Sequence, residues 1–241
     1  MLENGMILDL IRLITGTIIL SYASFTDIKT RRASNFLWVI MGAIGAILLV
    51  VQYLIDGFDN LFYLLFIPIM IGLMYTLFQL RLIFGGADAK ALMALAILVP
   101  VKPEIAQIPI LEGTLISMPG SWIIFSNSIL IFLLIPLSLL IYNIAKREIK
   151  FPYSLLGYKT SIEKAKKTFI WPLEKIREGK RKFSYMPKEF DMTKELNIFE
   201  EHGIKTIWVT PKIPFMIPLL AGFITTFLFG DLLSELLKIF M

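Results

Sequence analysis

Cysteine is absent from this chain of 241 residues, and histidine occurs only once. The absence of cysteine excludes disulfide bonds and zinc sites built on thiolates, and it leaves the redox compartment undetermined. The single histidine, His202, lies beside Glu201 in a charged stretch, where a surface position is a more common role than catalysis. We therefore expect no metal site and no cofactor, so any catalytic chemistry must come from other side chains.

Charge is also scarce. Charged residues make up 18% of the chain and hydrophobic residues 56%, and the mean hydropathy is +0.73, far above the apolar share of a soluble domain. Residues 146–212 hold 16 of the 24 lysines and arginines but only 9 of the 19 acidic residues. This pattern predicts a membrane body with one basic insertion, which is compatible both with contact to anionic lipid headgroups and with a solvated domain. We expect the lipid bilayer, and not nucleic acid, as a partner.

Six apolar stretches approach the length of about 20 residues that a helix needs to cross a bilayer. They lie at residues 7–26, 35–55, 60–80, 87–100, 122–144 and 214–240. We predict an all-α membrane protein with six transmembrane helices and a small cytosolic α+β domain before the last helix. The expected organisation is a membrane domain over residues 1–145, a basic cytosolic domain over 146–212 and the sixth helix within 213–241.

Two features of these stretches predict how the helices pack. Gly42 and Gly45 in the second stretch allow another helix to approach closely. Asp9 and Arg12 are three residues apart near the entrance of the first stretch, so we expect them to pair on one helical face.

The loops between the stretches alternate in basic content, which sets the orientation in the membrane. The basic residues of the first and third short loops are Lys29, Arg31, Arg32 and Arg81. The second loop has neither lysine nor arginine, and the fourth has only Lys102. The positive-inside rule therefore predicts a multi-pass protein of the cell membrane with its N-terminus outside. Asp27 and Asp88 then both fall at the cytoplasmic ends of helices.

Asp27 and Asp88 are functional candidates because ionisable groups near membrane depth are costly. Each also has a local explanation, since Asp88 can cap a helix after Gly85 and Gly86, and Asp27 can pair with Lys29. Their shared membrane face favours a joint role. Two carboxylates at one site cannot both ionise cheaply, so one keeps its proton and the pair can perform aspartic-protease chemistry. The two glycines would let an extended substrate backbone approach.

The segment Gly85-Gly86-Ala87-Asp88-Ala89-Lys90 resembles the Gly-x-Gly-Asp motif of membrane aspartyl proteases, which include the type IV prepilin peptidases and presenilin. Ala87 stands where that pattern has glycine, a departure that archaeal members accept. Residues 27–35 are similar to the first-aspartate motif of prepilin peptidases, in which a basic stretch leads to an asparagine, here Asn35. Pro214-Phe215 is similar to the Pro-Phe segment before their last helix. The whole chain resembles the archaeal preflagellin (archaellin) peptidases.

The resemblance implies an aspartic endopeptidase that removes the short basic leader (class III signal) peptide from preflagellin-like or prepilin-like precursors. Cleavage would take place at the cytoplasmic face, before filament assembly. The implied catalytic pair is Asp27 and Asp88. The implied motif and substrate-positioning residues are Gly85, Gly86, Ala87, Lys90, Lys29, Pro214 and Phe215. Bacterial relatives often carry a tetra-cysteine zinc site and N-methylate the new terminus. With no cysteine and no large loop between the first two apolar stretches, we expect neither feature here.

Two other classes of function remain open at this stage. A small transporter driven by protons or a cation would use an acidic pair between helices, although such sites usually lie near the midplane of the membrane and in repeated folds. A scaffold without enzymatic activity would use the basic domain to bind lipid or an assembly factor. That scaffold would leave the two aspartates without a role.

Overall fold

The structure is a computed structural model of the chain. It describes residues 2–30, 32–55, 57, 61–80, 82, 85–106, 108–111, 118–168, 170–177, 179–184 and 193–240. Two compact units are present, one comprising Met1–Phe132 with Pro214–Met241 and the other comprising Leu133–Ile213. The first unit is helical, and the second combines short helices with β-sheet.

The helices and strands follow one another in this order: α1 (Leu2–Thr30), α2 (Asn35–Ile55), α3 (Phe66–Gln79), α4 (Gly86–Leu98), α5 (Gly120–Ala145), α6 (Tyr153–Leu156), β1 (Tyr158–Ser161), α7 (Ile162–Lys167), β2 (Ile170–Pro172), β3 (Glu174–Arg177), β4 (Lys180–Phe183), α8 (Thr193–Glu201), β5 (Thr206–Pro211), α9 (Met216–Leu228) and α10 (Leu232–Lys238). A short 3₁₀ segment, Leu61–Leu65, comes directly before α3.

Three helices of the described chain, α1, α2 and α5, are long and apolar enough to cross a membrane. Helices α9 and α10 meet the same criterion together, which makes up to four spanning elements in the part of the chain that the structure describes. These helices are those of a membrane protein. Helix α3 has 14 residues and α4 has 13. At a rise of about 1.5 Å per residue, α4 is about 20 Å long, which is less than a hydrocarbon core of about 30 Å.

The last apolar stretch is not the single continuous helix that the sequence predicted over residues 214–240. Helices α9 and α10 meet at a 70° bend, where Gly230 has a φ of 91° and Asp231 caps α10. The side chain of Asn127 in α5 is fully buried against this break. Its Nδ2 donates to the carbonyl oxygen of Gly230 (2.8 Å), and its Oδ1 accepts from the N–H of Leu232 (3.1 Å). One amide thus satisfies backbone groups that the bend would leave unpaired inside an apolar body.

Small residues bring the helices of the first unit into close contact. A Cβ added at Gly45 of α2 would lie 2.7 Å from the Cα of Leu98 in α4, so these two backbones touch. Gly42 differs, because a Cβ there would meet only one side-chain atom, at 3.7 Å. Gly16 of α1 leaves room for the ring of Phe223 in α9. The predicted close approach therefore depends on Gly45 and not on Gly42.

The predicted pair of Asp9 and Arg12 is present near the start of α1. Arg12 is only 4% exposed and donates to Asp9 Oδ1 (2.7 Å) and to Gln52 Oε1 of α2 (2.7 Å). The second oxygen of Asp9 accepts the backbone N–H of Glu104 (2.8 Å). This network joins α1, α2 and the segment after α4 at one end of the first unit.

The second unit contains a three-stranded antiparallel sheet in the order β1-β5-β2 and a β3-β4 hairpin. Helix α7 begins after Ser161, whose Oγ accepts the N–H of Lys164 (3.4 Å). Helices α7 and α8 pack on one another, and their apolar faces share a core with the sheet. The buried residues of this core are Ile162, Ala165, Ile170, Leu196, Phe199, Ile207 and Val209.

Candidate active site

Asp88 lies in the first turn of α4, where Gly85 is the N-cap residue. The local explanation of Asp88 as a capping residue is wrong, since no side chain caps this helix. The carboxylate of Asp88 instead lies over Gly85, and a Cβ at Gly85 would overlap it. Gly85 has a φ of −91° and a ψ of 110°, a conformation open to any residue. A side chain at position 85 would therefore have to displace the Asp88 carboxylate, whereas the backbone turn itself would accept one.

Gly86 and Ala87 have different surroundings from Gly85. A Cβ at Gly86 would lie 3.4 Å from Cε2 of Phe78 in α3, which is close to ordinary van der Waals contact. Ala87 is partly buried and packs against the core of the first unit. Gly85 is therefore the glycine of this motif that has no room for a side chain, while Gly86 lies against an aromatic ring.

Asp27 lies in the last turn of α1, and α1 contacts α4. Both Asp27 and Asp88 are partly buried, and the charge of Asp27 acts on the carboxyl group of Asp88. The structure therefore brings these two carboxylates into electrostatic range of each other, although they are 61 residues apart in the chain. Each is held by a different helix, and each helix is fixed by its own packing in the apolar body.

Lys90 connects α4 to α2 beside this pair. Its Nζ donates to Oδ1 of Asn35, the first residue of α2, at 2.8 Å. Asn35 belongs to the predicted first-aspartate motif but was not among the predicted site residues. The sequence feature that could have indicated Asn35 is its amide side chain at the start of an apolar helix. Its partner Lys90, two positions after Asp88, could not be predicted from the spacing of residues in the chain. The hydrogen bond joins the two motifs directly.

The predicted site residues before the last helix, Pro214 and Phe215, pack near the Asp27 end of α1. Pro214 precedes α9, and Phe215 is the residue before its first turn. The ring of Phe215 packs edge-on against Phe132, with 5.7 Å between ring centroids. Ser24, one turn before Asp27, donates its hydroxyl to the carbonyl oxygen of Met216 (3.0 Å). This contact fixes the beginning of α9 against the last turns of α1.

Lys29 and His202 make local contacts. The Nζ of Lys29 lies 4.3 Å from the ring centroid of Phe25, one turn back in α1. A ring nitrogen of His202 lies 2.8 Å from the carbonyl oxygen of Ile198 in the second unit. Within the residues that the structure describes, no three His, Asp or Glu side chains are grouped so that they could hold a metal ion.

Two known protein families match parts of this chain. Residues 14–144 match the Type IV leader peptidase family, and residues 149–232 match the family described as archaeal peptidase A24 C-terminus type II. The first match covers more than half of the chain and includes both aspartates. The chain therefore belongs to the type IV leader peptidase family.

Three curated relatives are similar to the chain over nearly their whole length. The preflagellin peptidase of Methanococcus voltae is 27% identical over 235 residues, which is 90% of this chain and 94% of the relative. That of Methanocaldococcus jannaschii is 25% identical, over 92% of this chain and 95% of the relative. That of Methanococcus maripaludis is 25% identical, over 95% and 99%.

Proposed function

We propose that this chain is a membrane aspartic endopeptidase that removes short basic leader peptides from preflagellin-like or prepilin-like precursors before filament assembly. The observation that supports this proposal is that Asp27, in the last turn of α1, and Asp88, in the first turn of α4, lie within electrostatic range of each other. Membership of the type IV leader peptidase family supports it, as does the similarity to three preflagellin peptidases over at least 90% of the chain.

The proposed chemistry needs one proton shared by the two carboxyl groups. Because like charges at one site disfavour double ionisation, one of Asp27 and Asp88 is protonated and the other is ionised. The protonated carboxyl polarises the scissile carbonyl, and the ionised one takes a proton from the attacking water. Neither carboxyl is assigned a fixed role, since a coupled pair titrates as a unit.

The proposed substrate path follows the glycines at the start of α4. An extended peptide would pass close to the backbone of Gly85 and Gly86, beside the Asp88 carboxylate that lies over Gly85 and the Phe78 ring that lies against Gly86. Gly85 also keeps space for the Asp88 carboxylate itself. Lys90 is held by Asn35 and keeps this edge of α4 next to α2.

The six-span topology and the cytoplasmic position of the aspartates belong to the same proposal. The 3₁₀ segment of 5 residues and α3 of 14 residues run on from one another and together approach the length of a span. The absence of cysteine makes the topology easy to test with single introduced cysteines. We expect a membrane-impermeant thiol reagent to label Lys102→Cys from outside intact cells and to label Thr30→Cys only after the cells are opened. Labelling of Thr30→Cys in intact cells would overturn the orientation.

The function is tested by cleavage of a preflagellin-like precursor in membranes. We expect Asp27→Asn and Asp88→Asn each to lower the cleavage rate by about 10²-fold or more, since asparagine cannot carry the shared proton. Glu235→Gln is a matched control because Glu235 is a carboxylate of the same unit that pairs with Lys238 (2.7 Å). We expect this control to cleave at the parental rate, and thermal unfolding in detergent should show that all three variants fold.

Unchanged cleavage by an aspartate variant would favour a function other than aspartic proteolysis. If either aspartate variant folds and still cleaves at the parental rate, the aspartyl mechanism is wrong. Proton flux in vesicles would then test the transporter hypothesis, which predicts that the parent protein, but not the two variants, dissipates a pH gradient.

A further inference from the structure

An apolar groove of about 460 Å³ lies within the second unit, between the last turns of α5 and the sheet. Its floor is a single face of α5, because the lining residues of that helix follow a spacing of four along two adjacent rows. The lining residues are Leu134, Ile135, Ser138, Leu139, Tyr142, Tyr158, Pro211 and Ile213. The volume lies within the range of roughly 300–1,000 Å³ that is typical of small-molecule sites. Since α5 is a candidate membrane span, this groove opens where lipid acyl chains are present.

One end of the groove has an aromatic and basic rim. The rings of Tyr142 and Tyr158 meet edge-to-face, with 6.2 Å between centroids. The Nζ of Lys146 lies 4.6 Å from the ring centroid of Tyr142. Lys212 stands in the chain between the lining residues Pro211 and Ile213, and its Nζ lies 5.2 Å from the ring centroid of Trp171. Trp171 does not line the groove, so the Lys212 ammonium lies away from it. The groove therefore has an apolar body with the cation of Lys146 at one end, which matches the charge pattern of an anionic amphiphile.

The protonation states at the rim suit an anion. A hydrogen bond with Tyr142 raises the pKa of the Lys146 ammonium, so this side chain remains a cation. Burial raises the pKa of the Tyr158 hydroxyl, and the neighbouring Tyr142 raises it further. The Tyr158 hydroxyl therefore keeps its proton at neutral pH and can donate a hydrogen bond to a phosphate oxygen.

The segment directly after α5 has the character of a membrane interface. Ile149 is 66% exposed and Phe151 is 79% exposed, and Lys150 lies between them. Exposed apolar side chains that alternate with basic ones, next to the end of an apolar helix, are typical of the headgroup region. The acidic residue of this segment, Glu148, is paired with Lys159 (3.3 Å) and so opposes the basic rim less.

We propose that this groove binds one anionic phospholipid. An acyl chain lies along the α5 face, and the phosphate lies at the rim formed by Lys146 and the two tyrosines. The geometry favours a lipid over a peptide, because the apolar floor is a narrow strip along one helix and the polar contacts lie only at one end. The site is independent of the aspartate pair and of the proposed peptidase activity.

The test uses the purified full-length protein and two probes, phosphatidylglycerol and phosphatidylcholine, with bound lipid counted by native mass spectrometry. We expect the parent to bind the anionic lipid about tenfold more tightly than the zwitterionic one, since each lysine near the headgroup adds to the attraction. A phosphatidylglycerol with a photoreactive acyl chain should crosslink to residues 134–142 and 211–213. Lys146→Gln should reduce the preference for the anionic lipid and leave the fold intact, whereas Lys212→Gln should leave the preference unchanged.

Matched variants separate a site from general attraction. Ser138→Trp fills the groove and should weaken binding of both lipids, whereas Leu137→Trp, on the exposed side of α5, should not. Lys164→Gln removes an exposed charge of the same unit and should leave the preference unchanged. Equal binding of the two lipids by the parent, or crosslinks outside the groove, would overturn the proposal. It would also be overturned if Ser138→Trp kept lipid binding and instead lost binding of a precursor peptide.

Discussion

The two ends of α1 each carry an aspartate, and these two aspartates have different charged neighbours. At about 1.5 Å per residue, Asp9 and Asp27 are about 27 Å apart along one helix. Asp9 faces the buried guanidinium of Arg12 and the backbone N–H of Glu104. The charge of Asp27 acts on a second carboxylate, that of Asp88. The sequence already distinguishes them, since Arg12 is three residues from Asp9, whereas Asp27 falls with Asp88 at the predicted cytoplasmic ends of helices.

This difference indicates where the chain uses charge for stability and where it uses charge for chemistry. At the Asp9 end, Arg12 and Gln52 complete a network that joins two helices and neutralises the carboxylate. At the Asp27 end, the charge of Asp27 acts on Asp88, and the proposed aspartyl mechanism would use a proton shared by these two carboxyl groups. We therefore expect substitutions at the first end to change the free energy of unfolding and substitutions at the second to change cleavage.

Among the substitutions that test this comparison, Gly85→Ala is expected to have the largest effect. It acts only at the Asp27 end of α1, where the proposed catalytic pair lies. The added Cβ overlaps the Asp88 carboxylate and must displace it, and a shift of about 1 Å at a reacting group can cost about 10²-fold in rate. The cleavage assay measures this loss, and unfolding should change little. Gly72→Ala is the control, because a Cβ there meets nothing within 4 Å. A Gly85→Ala variant that cleaves like the parent would show that this carboxylate position is not the active one.

The second-largest effect is expected from Arg12→Met, which acts at the Asp9 end of α1. The change leaves Asp9 buried without its cation, at a cost of about 3–5 kcal/mol. For a chain of this size we expect the melting temperature in detergent to fall by about 10 °C. The folded fraction should still cleave at the parental rate per molecule. Adding Asp9→Asn to Arg12→Met should recover part of the stability, and an Asp27→Asn variant that melts as early as Arg12→Met would break the comparison.

The sequence predicted the parts of the fold that depend on local composition. Helices α1, α2 and α5 were expected from runs of about 20 apolar residues, and each is a helix of spanning length. The break between α9 and α10 was missed, although Gly230-Asp231 is a turn residue followed by a helix cap and was visible in the chain. Hydropathy averages over such a pair, so a bend held by Asn127 is not visible in it.

The candidate site was predictable in its residue types but not in its contacts. Two aspartates on one membrane face followed from loop charge, and the Gly-x-Gly-Asp resemblance singled out Asp88. The reason for Gly85 could not be foreseen, because it is a steric contact with Asp88 and not a turn requirement. The partner of Lys90 could not be foreseen either, since Asn35 is 55 residues away and meets it only through the packing of α2 on α4.

A smaller effect is expected at the contact between α2 and α4, which lies between the Asp9 end and the Asp27 end of the first unit. Gly45→Ala places a Cβ 2.7 Å from the Cα of Leu98, and overpacking of this kind costs about 1–3 kcal/mol. Thermal unfolding in detergent measures the change. Gly42→Ala is the matched control on the same helix, because its Cβ would have ordinary contact at 3.7 Å. Equal melting temperatures for the two variants would show that α2 and α4 are not held at this distance.

The smallest effect is expected from the hydrogen bond between Lys90 and Asn35, which tests whether the catalytic end also needs structural support. The bond is exposed, so its loss should cost about 1 kcal/mol, or about fivefold in cleavage rate if α4 shifts relative to α2. Lys90→Met, Asn35→Ala and the double variant form a cycle, and a shared bond predicts that the double variant loses no more than either single one. If the losses of cleavage rate in the two single variants add up in the double variant, the two residues act separately. In that case we expect Lys90 to contact the substrate. A cycle in which melting temperature falls but cleavage does not would place Lys90 with Arg12, among the residues that hold the helices together.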